Sequence, residues 1–273
     1  MALEEQFFIS DNPRLFGVLY PPEIPNGQAV LIVHPFAEEK KSSQRTLVQI
    51  AKALSSQGAY VLLFDLRGCG DSEGDMNCAG ISEWTDDMAS AAEFLRKKSG
   101  VSQISVIGLR LGAYLSLLYS AKNRRIDKVI LIAPVLDSVE YLRKSLRSKL
   151  MKELITDGDV SSRRDDLIAS LRNNISIDFD GYPITGYFYS GLLESIGEDE
   201  IGSSDMDTVL VDITITGRTS KQIASLQSNR PSLSFHTLKM EPFWERIERV
   251  DVSDLISLMT QILDNAPAVH YNC

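Results

Sequence analysis

The sequence predicts an α/β fold in which a mostly parallel, doubly wound sheet carries helices on both faces. Short continuous apolar runs, such as residues 29–33 and 60–64, are typical of strands that are buried on both sides. Segments with helical periodicity separate these runs, and such alternation indicates parallel strands joined by right-handed crossovers. The apolar run 104–107 then leads through Gly108 and Gly112 into a helix. The 273 residues suit one α/β domain with an insertion, or two small domains.

The first half of the chain supplies most of the predicted sheet. The turn sequence Asp11-Asn12-Pro13 separates two short strands at the N-terminus. Ser82 is the expected N-cap of a helix, and Gly100 lies just past the end of that helix. Up to residue 133 we predict strands over 5–10, 14–20, 29–33, 60–64, 104–107 and 128–133, and helices over 43–57, over 82–98 and from residue 111 onward.

The pattern changes between residues 137 and 206, where no buried-strand pattern is visible and charged helical sequence prevails. An insertion of this length between two sheet strands indicates a helical cap. We therefore predict an α/β core of residues 1–136 and 207–273, and a cap of residues 137–206. A basic helix near 143–152 and an acidic stretch near 194–207 are expected on the solvated surface. Strands over 209–215 and 232–240 and a helix over 252–265 complete the core.

Composition and charge exclude several classes of function. A net charge of -9 argues against binding to nucleic acid or to an anionic membrane. No apolar stretch approaches the roughly 20 residues of a transmembrane helix, and the N-terminus lacks the pattern of a signal peptide. Three cysteines without Cys-x-x-Cys spacing favour a reducing compartment, so we expect a cytoplasmic protein. With three histidines and no complete dinucleotide motif, we expect neither a metal nor a cofactor.

The segment 104–113 is the most informative stretch of the sequence. In a Gly-x-Ser-x-Gly nucleophile elbow, a sharp strand-to-helix turn exposes the middle side chain above the sheet. Both glycines are present here, but the middle residue is Arg110. A guanidinium has no accessible deprotonated form and cannot act as a nucleophile. The segment therefore predicts the scaffold of a nucleophile elbow without its nucleophile.

The order of the loops gives the chain a resemblance to the α/β-hydrolase superfamily. Residues 34–36 (HPF) resemble the His-Gly-x loop that follows the third strand of that fold, and residues 65–72 (DLRGCGDS) resemble its D-x-R-G-x-G-x-S loop. The elbow and a cap follow in the expected order. The resemblance implies that the 34–36 loop forms half of an oxyanion hole. Three shorter motifs resemble hydrolase-like proteins associated with the bacterial exosortase A system, namely GLRLG at 108–112, GYPIT at 181–185 and PFW at 242–244.

The same resemblance implies a catalytic triad that this sequence does not contain. A triad needs a nucleophile, a base that activates it and an acid that orients the base. In family order the acid should follow the strand 209–215, where residues 217–220 (GRTS) include no carboxylate. The base should follow the last strand, where residues 241–244 (EPFW) include no histidine. Because Arg110 also replaces the serine, we expect a degenerate triad.

Three functional hypotheses follow. In the first, the protein has lost the triad and binds a small-molecule ligand, anionic or acylated, between core and cap. A helix N-terminus favours anions, and the planar fork of Arg110 suits a carboxylate or phosphate. The predicted ligand-binding residues are Arg110, Leu111, His34, Phe36, Tyr182 and Trp244. Alternatively, Arg110 forms an ion pair with Glu38 or Glu39, or stacks on Trp244, and merely fills an inactive site.

The second hypothesis is an esterase-like hydrolase with an unorthodox constellation, for which Cys69 and His34 are the candidate catalytic residues. The alternative is that Cys69 packs as a small uncharged side chain and that His34 orients its loop. The third hypothesis is a structural or partner-binding scaffold, which the resemblance links to exopolysaccharide export. The identity of the ligand and the oligomeric state stay open at this point.

Overall fold

A computed structural model describes residues 4–157, 164–179, 181–194, 206–230, 233–246 and 248–264 of the chain. The strands within these residues are β1 (Glu5–Phe8), β2 (Phe16–Tyr20), β3 (Ala29–Val33), β4 (Tyr60–Phe64), β5 (Ile104–Leu109), β6 (Ile126–Ile132), β7 (Ile177–Phe179), β8 (Tyr182–Ile184), β9 (Asp207–Thr214) and β10 (Ser234–Lys239). The helices are α1 (Ala37–Ser56), α2 (Ile81–Ser99), α3 (Leu111–Ala121), α4 (Ser138–Asp157), α5 (Arg164–Arg172), α6 (Gly186–Glu194), α7 (Lys221–Asn229) and α8 (Ser253–Asp264).

Eight of the described strands form one sheet in the order β1-β2-β4-β3-β5-β6-β9-β10. β2 pairs antiparallel with β1 and with β4, and the other neighbouring pairs are parallel. β3 is wholly buried, and its successive side chains point to opposite faces. Val30 and Ile32 pack in the cluster that includes α1 and α8, whereas Leu31 and Val33 pack in the cluster that includes α2 and α3. The predicted mostly parallel sheet with helices on both faces is therefore confirmed.

The first helix starts earlier than the sequence pattern predicts. β3 and β4 have the predicted bounds, but α1 begins at Ala37 and not at residue 43. Its first turn contains three charged side chains in a row, residues 38–40, and so carries no apolar periodicity. Glu38 and Glu39 in that turn suit the positive end of the helix dipole. The early start matters because it brings Glu39 to the carboxyl edge of the sheet.

The second helix and two later elements also differ from the predictions. The N-cap of α2 is Gly80, so the assignment of this role to Ser82 is wrong. Gly100 lies just past the end of the helix, as predicted, and its backbone there is left-handed. The sequence pattern does not predict α7, which follows β9. It does not predict the hairpin β7–β8 either, because strands of three residues are too short to show a period.

The segment between β6 and β9, residues 137–206, is called the insertion below. Its described part contains α4, α5, the hairpin β7–β8 and α6. Arg143, Lys144 and Arg147 on α4 are exposed, which agrees with a solvated basic face. Most of the acidic stretch near 194–207 lies outside the described residues. No described helix combines the length and the hydrophobicity that crossing a membrane requires.

Two glycines allow α3 to start against the end of β3. A Cβ atom on Gly112 would lie 2.5 Å from the carbonyl oxygen of His34 and closer still to that of Val33. A Cβ atom on Gly108 would lie 2.5 Å from Ser116 Oγ and would overlap the backbone of α3. Neither neighbour can give way, because the first is sheet-edge backbone and the second is the helix itself. The close approach therefore requires glycine at both positions.

We predict that Gly112→Ala lowers the free energy of unfolding by about 1–3 kcal/mol, the usual cost of overpacking a rigid site. Gly191→Ala is the matched control, because Gly191 is also helical but its added Cβ would meet nothing nearer than 3.6 Å. The control should be neutral or more stable by up to about 1 kcal/mol, since alanine favours helix over glycine. Urea unfolding of both variants measures the difference. Equal stability of the two variants would contradict the close approach at the elbow.

Candidate functional site

The backbone of Arg110 adopts the strained conformation of a strand-to-helix elbow. Its φ is 56° and its ψ is -118°, which is unfavourable for a residue with a Cβ atom. The flanking structure holds it there: Arg110 N donates to Ile132 O at 3.0 Å, and Arg110 O accepts from Ala113 N at 3.1 Å and from Tyr114 N at 3.2 Å. The side chain therefore stands above the carboxyl edge of the sheet, between β5 and α3.

The Arg110 side chain lies in a compact polar and aromatic cluster. Its Nε donates to Glu39 Oε1 at 3.2 Å, and its Nη1 donates to Ala133 O at 3.1 Å. The guanidinium carbon lies 5.2 Å from the ring centroid of Trp244 and 5.7 Å from that of Tyr141. We call these five residues the Arg110 cluster. The ion pair with Glu39 and the stacking on Trp244 thus occur together, and 20% of the arginine side chain stays exposed.

Burial sets the electrostatics of Glu39. It raises the pKa of Glu39 above the ordinary value of 4.5, although the charge and the hydrogen bond of Arg110 act in the opposite direction. Tyr141 OH donates to Glu39 Oε2 at 3.4 Å. Burial, and next the charge of Glu39, raise the pKa of Tyr141 well above its ordinary value, so the phenol keeps its proton. Arg110 is therefore paired with a carboxylate that the surrounding protein solvates poorly.

Aromatic side chains close the space between the core and the insertion. Phe36, which follows β3, is 5% exposed and packs against four rings at centroid distances of 5.4–6.4 Å. These rings belong to Trp84 of α2, Phe179 of β7, Tyr182 of β8 and Phe188 of α6. The gap beside the elbow has no room for a water molecule and is bounded by His34, Pro35, Phe36, Leu66, Cys69, Trp84, Leu111 and Leu115.

The structure divides the predicted ligand-binding residues into three groups. Arg110 and Trp244 touch in the Arg110 cluster, and Phe36 and Tyr182 meet in the aromatic contact, where Leu111 lines the closed gap. His34 also bounds that gap, but its Nε2 atom lies 3.6 Å from Asp65 Oδ1. Residues from the core and the insertion thus meet at this edge of the sheet, but not around one open cavity.

His34 and Cys69 do not form a nucleophile and base pair. His34 Nδ1 donates to Pro35 O at 2.7 Å, and Nε2 has no hydrogen-bond partner among the described residues, so it forms no hydrogen bond with the thiol. Burial, and next the charge of Lys40, lower the pKa of His34 to about 4. Burial also raises the pKa of Cys69 to about 12, which keeps the thiol protonated and unreactive. Both side chains behave as packed, neutral groups.

The glycine-rich loop after β4 is a structural brace. Arg67 donates to Asp87 of α2 from Nε at 2.9 Å and from Nη2 at 2.6 Å, and its backbone N–H donates to the same carboxylate at 2.8 Å. Ser72 Oγ donates to Asp65 O and accepts from Phe16 N, which ties the loop to β2. Asp65, Arg67 and Ser72 of the DLRGCGDS motif therefore hold the loop in place.

The positions at which the fold resemblance expects an acid and a base carry other side chains. The carboxylate nearest to residues 217–220 belongs to Asp212 of β9, which is 6% exposed and accepts from Ser220 N at 2.6 Å. After β10, a short helical turn brings Trp244 over Arg110. The sequence identified Arg110, Glu39 and Trp244 but missed Tyr141, because a tyrosine in the insertion belongs to no local motif. The described residues include no group of three metal-binding side chains.

The strand order, the strained elbow after β5 and the insertion after β6 define an α/β-hydrolase fold. Residues 25–179 match the family model described as serine aminopeptidase, S33 (Hydrolase_4), which is more than half of the chain. The chain therefore belongs to this family, which places it among the α/β-hydrolases.

Curated relatives of the chain include transferases and hydrolases. It is 29% identical to the polyketide transferase ATR5 of Stachybotrys chlorohalonatus over 137 residues, which are 49% of this chain and 45% of the relative. It is 26% identical to the thiohydrolase aneE of Aspergillus aculeatus over 157 residues, which are 56% of this chain and 48% of the relative. The chain spans about half of the length of these relatives.

Solved structures with the same fold extend over nearly the whole chain. Est1E from Butyrivibrio proteoclasticus with bound ferulic acid has a TM-score of 0.71 at 16% identity, covering 95% of this chain and 98% of Est1E. The α/β-hydrolase GrgF from Penicillium has a TM-score of 0.65 at 19% identity, covering 97% of each chain. At these identities the likeness establishes the fold.

We predict that Arg110→Met destabilises the protein more at pH 8 than at pH 5. Without Arg110 the pKa of Glu39 rises further, and a carboxyl group with a raised native pKa loses stability as the pH climbs through that value. The loss should reach about 2 kcal/mol at pH 8, below the range for fully buried pairs because both partners are partly exposed. Urea unfolding at the two pH values measures it.

The double variant Glu39→Gln/Arg110→Met is the control for this experiment. It contains no ionisable carboxyl group at the site, so its stability relative to Glu39→Gln should not change between pH 5 and pH 8. An equal loss for Arg110→Met at both pH values would show that the ion pair with Glu39 does not stabilise the elbow.

Proposed function

We propose that this chain is a non-hydrolytic α/β-hydrolase-fold protein that binds an anionic or acyl small molecule between the core and the cap, with Arg110 as the anchor. The core in this proposal comprises residues 1–136 and 207–273, and the cap comprises residues 137–206. The observation that carries the proposal is the guanidinium at the elbow, which already holds an internal carboxylate at 3.2 Å.

The degenerate triad is the first part of the proposal. Arg110 stands where the fold presents its nucleophile, and a guanidinium does not act as one. Asp212, whose carboxylate accepts from the backbone N–H of Ser220, lies in the region in which the acid would be expected. Trp244 lies in the region in which the base would be expected. The pKa of about 12 for Cys69 and the lack of a hydrogen bond to His34 weigh against the esterase-like alternative.

Anion recognition is the second part. The described contacts use one N–H of Nε and one of Nη1 on Arg110, and a guanidinium has five N–H donors. A ligand carboxylate can replace Glu39 on the same fork, and the net charge of the site is kept when the displaced Glu39 takes up a proton. The rings of Trp244 and Tyr141 lie within about 6 Å of the guanidinium and help to exclude water from the pair. The N-terminus of α3 adds its dipole to the same anion.

The third part of the proposal concerns the apolar portion of the ligand. The rings around Phe36 provide an aromatic lining but leave no open cavity, so binding must move the cap away from the core. Ferulic acid, an aromatic carboxylic acid, is bound in the structure of Est1E. It combines an aromatic ring with a carboxylate, and we choose it as the probe for this reason.

Displacement of Glu39 makes binding depend on pH. Once a ligand carboxylate occupies Arg110, Glu39 is left buried without its cation, so its pKa rises further and it takes up a proton. Binding that is coupled to proton uptake strengthens as the pH falls. We therefore expect ferulate to bind more tightly at pH 6 than at pH 8.

We predict that ferulate raises the melting temperature of the protein, whereas its neutral ester, ethyl ferulate, raises it less and is not hydrolysed. A ligand at 100 times its Kd stabilises the native state by about 2.7 kcal/mol. Arg110→Met should weaken ferulate binding about 10- to 100-fold, the range for a lost charged hydrogen bond. Arg124→Met, at an exposed arginine after α3, is the matched control and should leave ferulate binding unchanged.

The contrary outcomes separate the alternatives. Turnover of ethyl ferulate that disappears in Cys69→Ser would favour the esterase-like hydrolase. No stabilisation by ferulate in the wild type would remove the ligand-binding proposal and leave the partner-binding scaffold. The observation that favours the partner-binding scaffold is the closed gap beside the elbow, which leaves no room for a ligand. In that case the motifs at 108–112, 181–185 and 242–244 would support a role beside an exosortase A system.

A cytoplasmic location is part of the same proposal. Cys69 is buried and Cys78 is exposed, and both are free thiols. An exposed thiol persists in a reducing compartment.

A further inference from the structure

A groove separate from the Arg110 cluster lies between α1 and the antiparallel end of the sheet. Its volume is about 460 Å³, within the range of small-molecule sites. β2, β4, α1 and residues 4 and 6 at β1 supply its walls, and neither Arg110 nor Trp244 lines it. We call it the α1–β2 groove.

The floor of the α1–β2 groove is apolar. Val18 of β2 and Leu63 of β4 lie side by side across the antiparallel pair, and both are half-buried. Phe16 and Val48 of α1 line the same groove and are also half-buried. Four apolar side chains thus leave part of their surface uncovered in one concave place. A ligand with an apolar body would bury that surface.

One end of the groove is polar and holds an ion pair, beside which Asp71 also lines the groove. Lys40 Nζ lies 2.6 Å from Asp65 Oδ1, and the two side chains are 13% and 16% exposed. Asp71 N donates to Asp65 Oδ2 at 3.0 Å. Gly70 packs so closely on this ion pair that a Cβ atom there would overlap both partners. The pair is therefore held in place, while an ammonium has three N–H donors and Lys40 uses one of them on Asp65.

His34 contributes a buried acceptor behind the ion pair. Because Nδ1 donates its proton to Pro35 O, the neutral imidazole leaves Nε2 as an acceptor. Nε2 has no hydrogen-bond partner among the described residues, in a side chain that is 5% exposed and lines the groove. It faces Asp65 Oδ1, a second acceptor, at 3.6 Å. A buried acceptor without a donor is costly, which makes this end of the groove a place for a ligand donor.

We propose that the α1–β2 groove is a second binding site that takes a neutral alcohol with an apolar body, its hydroxyl group placed among Lys40, Asp65 and His34. A hydroxyl group both accepts and donates, so it can accept from Lys40 Nζ and donate to His34 Nε2 after a small rotation of the lysine. An anionic head group is disfavoured, since Lys40 already pairs with Asp65 and Asp71 adds a second carboxylate to this end of the groove. Nothing in this proposal depends on ligand binding at Arg110.

We predict that 2-phenylethanol binds this groove and shifts the imidazole ¹⁵N resonance of His34 Nε2 in a saturable way. The protein contains three histidines, so ¹⁵N-histidine labelling of the full chain gives a spectrum that His236→Gln and His270→Gln assign by elimination. The methyl ether of 2-phenylethanol has the same apolar body but no donor, and it should bind at least tenfold more weakly. The resonances of the other two histidines should stay in place.

Two variants test whether the alcohol occupies the groove. Val18→Trp fills it from the sheet and Val48→Trp fills it from α1, and each should abolish the shift without touching the polar end. Val139→Trp, at an exposed valine of α4, is the matched control and should leave the shift unchanged. The proposal is wrong if His34 does not respond up to the solubility limit of the alcohol. It is also wrong if the ether acts equally, or if the shift persists in both filled variants.

Discussion

The close approach of α3 to the end of β3 is the constraint on which the site depends. Glycine at 108 and 112 lets the helix start against sheet-edge backbone, and the turn between them forces the residue at 110 into a positive φ. Whatever side chain stands there is projected above the sheet, because backbone hydrogen bonds to β6 and α3 fix the turn. The fold can therefore keep its elbow while the chemistry at its tip changes. In this chain the side chain at the turn, that of Arg110, is a permanent cation.

That cation organises the contacts between the core and the insertion. Glu39 from α1 balances its charge, and Tyr141 from α4 bonds the same carboxylate. A second contact, the rings around Phe36, joins the same two parts of the chain. In the proposed complex a ligand anion displaces Glu39, and a ligand ring displaces an aromatic contact around Phe36. Binding, opening of the cap and proton uptake by Glu39 are thus expected to occur together, since the two contacts join the same two parts of the chain.

The sequence predicts the sheet well because continuous apolar runs such as 29–33 fit only strands that are buried on both faces. It misses the start of α1 and the hairpin β7–β8, since a charged first turn and three-residue strands carry no periodic signal. In the site, Arg110 and Trp244 were predictable because they stand at family positions. Tyr141 was not, because tertiary packing of the insertion brings it to Glu39. The direction of His34 depends on partners from α1 and the loop after β4, which local sequence does not encode.

The central claim is that the elbow is an anion site whose resident anion is Glu39. The most direct measurement is a ¹³C NMR titration of the Glu39 carboxyl group, assigned with Glu39→Gln, in the absence and presence of ferulate. The account predicts that the pKa of Glu39 lies above 4.5 in the free protein and rises further when ferulate is bound. An ordinary pKa that ferulate leaves unchanged would contradict it.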